Sequence, residues 1–337
     1  MARFPAPVRA RPADIVGLRA ALLAWFDRDG RALPFRFERD PDPWAVLVSE
    51  VMAQQTQVAR VAEKWRAFMG RFPTPAALAS APTGDVIRAW HGLGYNRRAI
   101  DLQRAARAIV VAGVSVPEDV DSLQALPGVG PYTARAVAAI AFGRPVGAVD
   151  VNVRRVLGRL TGADPAPVPQ REMQATADAL VDPARAGDWT HALMDLGATV
   201  CRPVRPACDG CPVRSWCSFA AVAGVGPKPA PGPKPAPKPA PRPNPAPGPK
   251  PAPGPAPRPN PAPELRGSVP FEVTTRWLRG RIVGRLCGVP PGTTVTFDGP
   301  LGLHAPEAVS AALASLAADG LVELDEAGAA RLAGERA

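Results

Sequence analysis

Leu126-Pro127-Gly128-Val129-Gly130-Pro131-Tyr132-Thr133-Ala134-Arg135 reads as a glycine hairpin that opens a helix. Gly128 and Gly130 are able to take up positive φ. With no side chain in the way, their backbone N–H groups and the helix N-terminus can meet a phosphate. An isolated Gly-x-Gly is more often an ordinary joint between two helices, so the surrounding sequence has to decide.

That surrounding sequence is helical almost throughout the first 226 residues. Ile15, Leu18, Leu22 and Phe26 lie on one amphipathic stripe. Pro43 suits the first turn of a helix over Trp44 to Gln55, Arg97 to Ala112 is alanine-rich and amphipathic, and Thr133 to Phe142 is alanine-rich between glycines. Val153, Val156, Leu157 and Leu160 form another stripe. No alternating pattern of useful length interrupts them, so residues 1–225 are expected to form an all-α domain.

From Gly226 to Glu264 the composition changes, with proline at every odd position from Pro227 to Pro263. Residues 226–264 therefore read as an extended linker. Residues 265–337 read as a small winged-helix-like α+β domain, with helices over Thr275 to Cys287 and Pro306 to Ala318 and short strands over Leu321 to Leu324 and Ala329 to Leu332.

The 337-residue chain carries a net charge of +10, a balance common in proteins that meet polyanions. The excess lies in residues 1–226 (27 Lys+Arg against 21 Asp+Glu) and in the linker. The C-terminal 68 residues carry −2, which argues against assuming that they grip DNA. No apolar leader follows Met1 and no run reaches the roughly 18 apolar residues of a membrane span, so a cytoplasmic protein with no membrane partner is expected.

Four of the five cysteines fall in Cys201-x6-Cys208-x2-Cys211-x5-Cys217. In a reducing cytosol such a group binds metal more often than it forms disulfides. Four thiolates suit an iron–sulfur cubane or tetrahedral zinc, and the single close pair favours iron–sulfur, since zinc sites usually arrange two such knuckles. The same loop carries Arg202 and Arg205, with Arg214 nearby, where a phosphate contact is expected. Val48-Ser49-Glu50-Val51-Met52-Ala53-Gln54-Gln55-Thr56-Gln57 places Glu50, Gln54 and Gln57 on one helical face. Ala148-Val149-Asp150-Val151-Asn152 places an aspartate at a helix start. Taken alone these are a solvated face and an N-cap.

In this order the four motifs resemble the helix-hairpin-helix DNA glycosylase superfamily, and more closely its adenine glycosylase branch, over about Leu18 to Cys217. The resemblance implies a two-lobed helical fold with duplex DNA in the cleft, a [4Fe-4S] cluster on Cys201, Cys208, Cys211 and Cys217, and a flipped base in a pocket between the lobes. It implies Glu50 as the general acid that protonates adenine, Asp150 as the carboxylate that stabilises the sugar cation, and Asn152 as its orienting partner. Tyr132 stands where lyase-competent relatives carry lysine, which implies hydrolysis without strand cleavage. Gln55 would fill the gap left by the flipped base and Arg36 would line the adenine pocket; their alternatives are a surface amide and a solvated cation. Gly128 and Gly130 would hold the DNA backbone. The implied partner is DNA with adenine opposite guanine or 8-oxoguanine, bound by a monomer associated with the nucleoid.

Three departures stand out. Phe35 replaces the usual tryptophan in Leu33-Pro34-Phe35-Arg36. Asn96 replaces a second tyrosine, so either Tyr95 takes over as the wedge or the wedge is lost. Nothing after Glu264 has the length or motifs of the Nudix-like domain usual there, and the tail domain could instead recruit a protein partner. The competing readings are a thymine or uracil mismatch glycosylase of the same superfamily and a noncatalytic, metal-stapled DNA-binding protein.

Overall fold

The computed structural model describes residues 12–36, 41–113, 115–162, 168–222 and 270–335. The linker expected at 226–264 lies outside them. Among the described residues, fourteen α-helices run in order: α1 Pro12–Asp29, α2 Pro43–Ala53, α3 Val58–Arg71, α4 Pro75–Ser80, α5 Thr83–Trp90, α6 Arg97–Val111, α7 Val120–Gln124, α8 Pro131–Phe142, α9 Val151–Thr161, α10 Gln170–Leu180, α11 Ala186–Asp195, α12 Ser218–Val222, α13 Thr275–Cys287 and α14 Pro306–Ala318. The strands β1 Val322–Leu324 and β2 Ala330–Leu332 pair antiparallel, with Glu323 opposite Arg331. The mainly α, two-lobed reading holds, and a two-stranded ribbon follows two helices in the C-terminal unit.

The first lobe is built from α2 to α8 around Trp44, Leu47, Phe68, Trp90 and Leu102. The second joins α1 to α9, α10 and α11 around Leu22, Val156, Leu157, Trp189 and Leu196. Helix α1 thus crosses back to the far end of the domain, where Arg19 donates from Nε to the Leu180 carbonyl at 3.1 Å. All four apolar residues of the α1 stripe and all four of the α9 stripe face this second core.

Helix α8 touches both cores: Ala134, Val137 and Ala138 pack into the first and Ala139 into the second. Alanine at these places keeps α8 thin enough to be buried on two sides, and alanine also has the best helix propensity. Asp150, Thr74 and Asp119 cap α9, α4 and α7 with side-chain acceptors, while Gly143 and Gly162 end α8 and α9 in the left-handed conformation.

The C-terminal unit has its own core: Leu278, Ile282, Val283 and Leu286 of α13 meet Val309, Leu313 and Leu316 of α14 and Val322 and Leu332 of the ribbon. Ile87 of α5 and Ile100 of α6 join that core, so the unit is seated on the first lobe. Arg88 fixes it there. Its guanidinium binds the Glu335 carboxylate at 2.7 Å and donates to the carbonyls of Cys287 and Val289 at 2.9 and 2.8 Å.

Because α8 is buried on both sides, Ala139→Leu is expected to destabilise the protein by about 1–3 kcal/mol through overpacking, measured as a lowered urea midpoint with an unchanged slope.

Candidate active site

Glu50 lies on α2, whose residues Trp44 to Met52 are all buried. Taken alone the motif reads as a solvated face, but α2 packs against α3 and α8 and has no water-facing side over this span, as the general-acid role implied by the resemblance requires. Glu50 is only 8% exposed. Burial pushes its carboxyl up to about 7, against the opposing pull of the Tyr132 hydroxyl within hydrogen-bonding reach and of the Arg36 charge; the Asp150 charge pushes in the same direction as burial.

Tyr132 enters from the first turn of α8, directly after the hairpin. Burial, together with the charges of Glu50 and Asp150, raises its hydroxyl well above the ordinary phenol range. That hydroxyl also lies 3.7 Å from the Met194 sulfur. Asp150 stands at the N-cap of α9, where its carboxylate accepts from Val153 N at 2.6 Å and from Asn152 Nδ2 at 3.1 Å. Residues from α2, α8 and the start of α9, far apart in sequence, thus converge on one point between the lobes.

Of the two hairpin glycines, Gly128 adopts φ +78°, and a Cβ there would sit 2.8 Å from that of Asp101. Gly130 does not take the expected positive φ. It is extended, at φ −86°, because it is the N-cap of α8, and no side chain satisfies the helix N-terminus that follows it. Gln54 ties α2 to this hairpin, with Nε2 at 3.1 Å from Thr133 Oγ1.

Arg36 is no solvated cation. Its side chain is 11% exposed and both terminal nitrogens bind the Asp195 carboxylate, at 2.8 and 2.7 Å. Arg31 binds the same carboxylate through its backbone N–H and its Nε, at 2.8 and 2.7 Å. Burial alone would raise Asp195, but these two arginines hold it below the usual carboxylate range. Beside them His191 stacks on Phe26, and burial followed by the Arg36 charge pushes it down to about 3, so the imidazole stays neutral. Phe35 packs edge-on against Trp65 at 6.4 Å.

Gln55 is exposed with φ 54°, and Tyr95, 37% exposed, has φ 46°. Left-handed backbone at such residues costs about 1–3 kcal/mol each and persists only where neighbours enforce it. Arg98 is the enforcer. Its guanidinium donates to the carbonyls of Val51, Met52 and Gln54 on one side, and to those of Leu93 and Gly94 and to Thr56 Oγ1 on the other. Burial pulls this guanidinium down to about 10.

Cys201, Cys208, Cys211 and Cys217 line one small cavity with Arg159, Val200 and Phe219. Among the described residues no three ligating side chains converge tightly enough for a single ion. Burial pushes Cys211 up to about 12 and raises Cys217, so thiolates form there when a cation compensates them. Arg159 Nη1 lies 3.5 Å from the Cys201 sulfur. Arg155 joins this loop to the acid site: its Nε donates to the Cys201 carbonyl at 2.9 Å and its Nη2 to Asn152 Oδ1 at 3.0 Å and to Gly197 O at 2.7 Å. Gly197 sits in a π-helical turn, Leu196–Val200, where a Cβ would fall 2.8 Å from that of Asn152. Arg202 and Arg205 are exposed, whereas the side chain of Arg214 is largely covered and binds the exposed Asp209 at 3.0 Å.

Asp195, Arg98 and Arg155 carry no clear signal in the sequence. Asp195 sits inside an unremarkable amphipathic helix, and the only hint for the arginines is a cation within an otherwise apolar or alanine-rich stripe.

A sequence model of the "HhH-GPD superfamily base excision DNA repair protein" matches residues 48–181, the span that holds Glu50, the hairpin and Asp150. The fold and the site define a helix-hairpin-helix base-excision protein. The adenine DNA glycosylase of Homo sapiens is 47% identical over 216 residues, covering 61% of this chain and 40% of the human protein. That of Mycobacterium tuberculosis (strain ATCC 25618 / H37Rv) is 46% identical over 214 residues, covering 62% of this chain and 69% of that protein. A solved thermostable thymine-DNA glycosylase superposes with a TM-score of 0.58 at 27% identity, over 62% of this chain and 98% of its own. The chain belongs to the adenine DNA glycosylase family of this superfamily. It spans between 40% and 44% of the length of the mammalian relatives it matches.

Arg98→Met is expected to leave five part-buried carbonyls without their charged donor and to cost about 3 kcal/mol. Chemical denaturation measures the loss, and it should be accompanied by faster proteolysis at the Gln55 and Tyr95 turns.

Proposed function

We propose that this protein hydrolyses the N-glycosidic bond of adenine mispaired with guanine or 8-oxoguanine in duplex DNA and does not cut the strand. The observation that carries this reading is the buried Glu50 carboxyl, held near neutrality and facing Tyr132 and Asp150. Such a carboxyl still holds its proton near pH 7 and can deliver it to the base.

Adenine is a poor leaving group as an anion. Glu50 donates a proton to N7, the C1′–N9 bond breaks with its electron pair going to the base, and neutral adenine departs. The sugar is left with positive charge at C1′. Asp150, oriented by Asn152 and by the N-terminus of α9, lies where a carboxylate stabilises that cation. Water adds at C1′ and gives its proton to the ionised Glu50, which restores the acid. A lysine amine at the Tyr132 position could form a Schiff base with the sugar. A phenol cannot, so no β-elimination follows.

Arg36 lines the adenine pocket in this reading, and Asp195, with Arg31, keeps its guanidinium fixed. The Gly128–Gly130 turn and the open N-terminus of α8 receive a DNA phosphate, and Arg202 and Arg205 add a second phosphate contact. Gln55 occupies the space the flipped base vacates and Tyr95 serves as the wedge, the role left open by Asn96. The four cysteines hold a [4Fe-4S] cluster, which when bound crosslinks the Cys201–Cys217 loop. Arg155 then couples the position of that loop to Asn152.

Single-turnover base release tests the reading on duplexes carrying adenine opposite guanine, adenine opposite 8-oxoguanine, thymine opposite guanine and uracil opposite guanine. Adenine loss, with strand scission only after alkali, is expected; release of thymine or uracil with adenine untouched would overturn the substrate. Glu50→Gln is expected to keep duplex affinity within about threefold while base release falls by about 10³-fold or more, since an amide of the same shape has no proton to give. The rate constant is expected to be level at acid pH. It should then fall about tenfold per pH unit above about 7, where burial places the Glu50 carboxyl.

A further inference from the structure

We propose that the C-terminal unit is part of the DNA interface, with helix α13 forming one wall of a cationic cleft that takes the phosphate backbone beside the extruded base. This rests on the DNA-repair reading above.

The cleft has a volume of about 870 Å³. One wall is the strained pair of turns carrying Gln55 and Tyr95; the other is α13, from Thr275 to Arg281. Six guanidinium groups line it, those of Arg60, Arg97, Arg98, Arg276, Arg279 and Arg281, against the two carboxylates of Asp101 and Asp319. Asp319 is shared by Arg97 at 2.9 Å and Arg279 at 2.6 Å, and Arg98 is occupied by backbone carbonyls. Arg60, Arg276 and Arg281 pair with no carboxylate among the described residues. Unneutralised cations facing one another across a cleft repel, and a phosphate chain converts that repulsion into attraction.

The charge on α13 is segregated rather than incidental. The last 68 residues hold eight acidic side chains and six basic ones, yet α13 itself carries four arginines and no acid. The net −2 of the unit therefore misleads about the face turned to the cleft. Leu278, Ile282, Val283 and Leu286 are buried in the unit's own core, and of the four arginines Arg276, Arg279 and Arg281 line the cleft while Arg285 lies over the Phe297 ring. The Arg88–Glu335 pair and the shared packing of Ile87 and Ile100 hold the unit in that place.

Two further features point to nucleic acid rather than an acidic protein. The cleft adjoins the hairpin, because Gln54 lines it and bonds the hairpin residue Thr133. Arg276 also lies over the Tyr95 ring, 3.8 Å from its centroid, and donates to its hydroxyl at 2.7 Å. A residue of the C-terminal unit thereby positions the exposed aromatic to which the reading above gives the role of wedge.

The experiment measures binding of the full chain to a 30-base-pair duplex, bearing a non-hydrolysable adenine analogue opposite 8-oxoguanine, by fluorescence anisotropy between about 0.05 and 0.3 M salt. Arg276→Ala combined with Arg281→Ala is expected to weaken binding by about tenfold or more at 0.15 M salt. It should also reduce the slope of log affinity against log salt by about 1 for each phosphate that the missing guanidinium groups would have neutralised. The paired Lys substitutions should restore the slope, which mere damage to α13 would not allow. If the parent chain binds this duplex and releases adenine from the cleavable mispair, while the alanine pair keeps both affinity and slope, the cleft takes something other than DNA. The inference then fails with the glycosylase reading intact. If the parent chain binds no duplex, both fail.

Discussion

Helix α8 is the constraint on which the molecule depends. It is one thin, alanine-rich helix shared by two hydrophobic cores, and its N-terminus opens from the Gly128 turn between them. Side chains larger than alanine would push the lobes apart, so its composition sets how closely α2 on one side and α11 on the other can approach. Tyr132 sits in its first turn because the hairpin ends there. Glu50 meets it because α2 packs on α8, and Asp150 meets it because the chain leaves α8 at Gly143 and caps α9 a few residues later. The chemistry of the cleft follows from the width of one helix.

Within that cleft two carboxylates face different surroundings, and the difference assigns their roles. Glu50 is dry and pushed toward its neutral form, while Asp150 receives a backbone and a side-chain donor at a helix N-terminus. A third, Asp195, is fully buried yet stays charged, because two arginines give it four hydrogen bonds. Removing either partner would strand a buried charge. The network fixes Arg36 near Glu50, and Arg36 in turn tempers the effect of burial on the acid.

The periphery is organised by arginines used as connectors. Arg98 holds the Gln55 and Tyr95 turns, Arg155 links the cysteine loop to Asn152, and Arg88 seats the C-terminal unit on α5. A planar guanidinium with five donors can satisfy several carbonyls at once, which a lysine could not do with the same geometry. The net charge of the chain therefore overstates how many cations are available to a polyanion. In the cleft beneath α13 some arginines are paired with carboxylates or backbone carbonyls and others meet neither, and the latter define the surface.

Much of the first domain was legible in the sequence. The stripes of α1 and α9, the hairpin and the clustered cysteines follow from local spacing, which an unfolded chain already carries, while Glu50, Tyr132 and Asp150 were singled out only by the resemblance of the motifs to a family. The helices and ribbon of the C-terminal unit were legible for the same reason. What the sequence could not determine was which faces meet. Helix α2 read as half-solvated because its polar residues recur at helical spacing, and only packing against α3 and α8 showed that Glu50 is dry. Gly130 read as a second left-handed glycine, and only the cap of α8 showed it extended. Asp195 and Arg98 gave no signal because their partners lie about 160 and 45 residues away. The seating of α13 against the Tyr95 turn was hidden behind a net charge. Spacing along the chain determined the elements, and the order of the motifs along it carried the resemblance that named the catalytic groups. Burial and long-range pairing, which exist only once the lobes have closed on α8, decided the environment of each group.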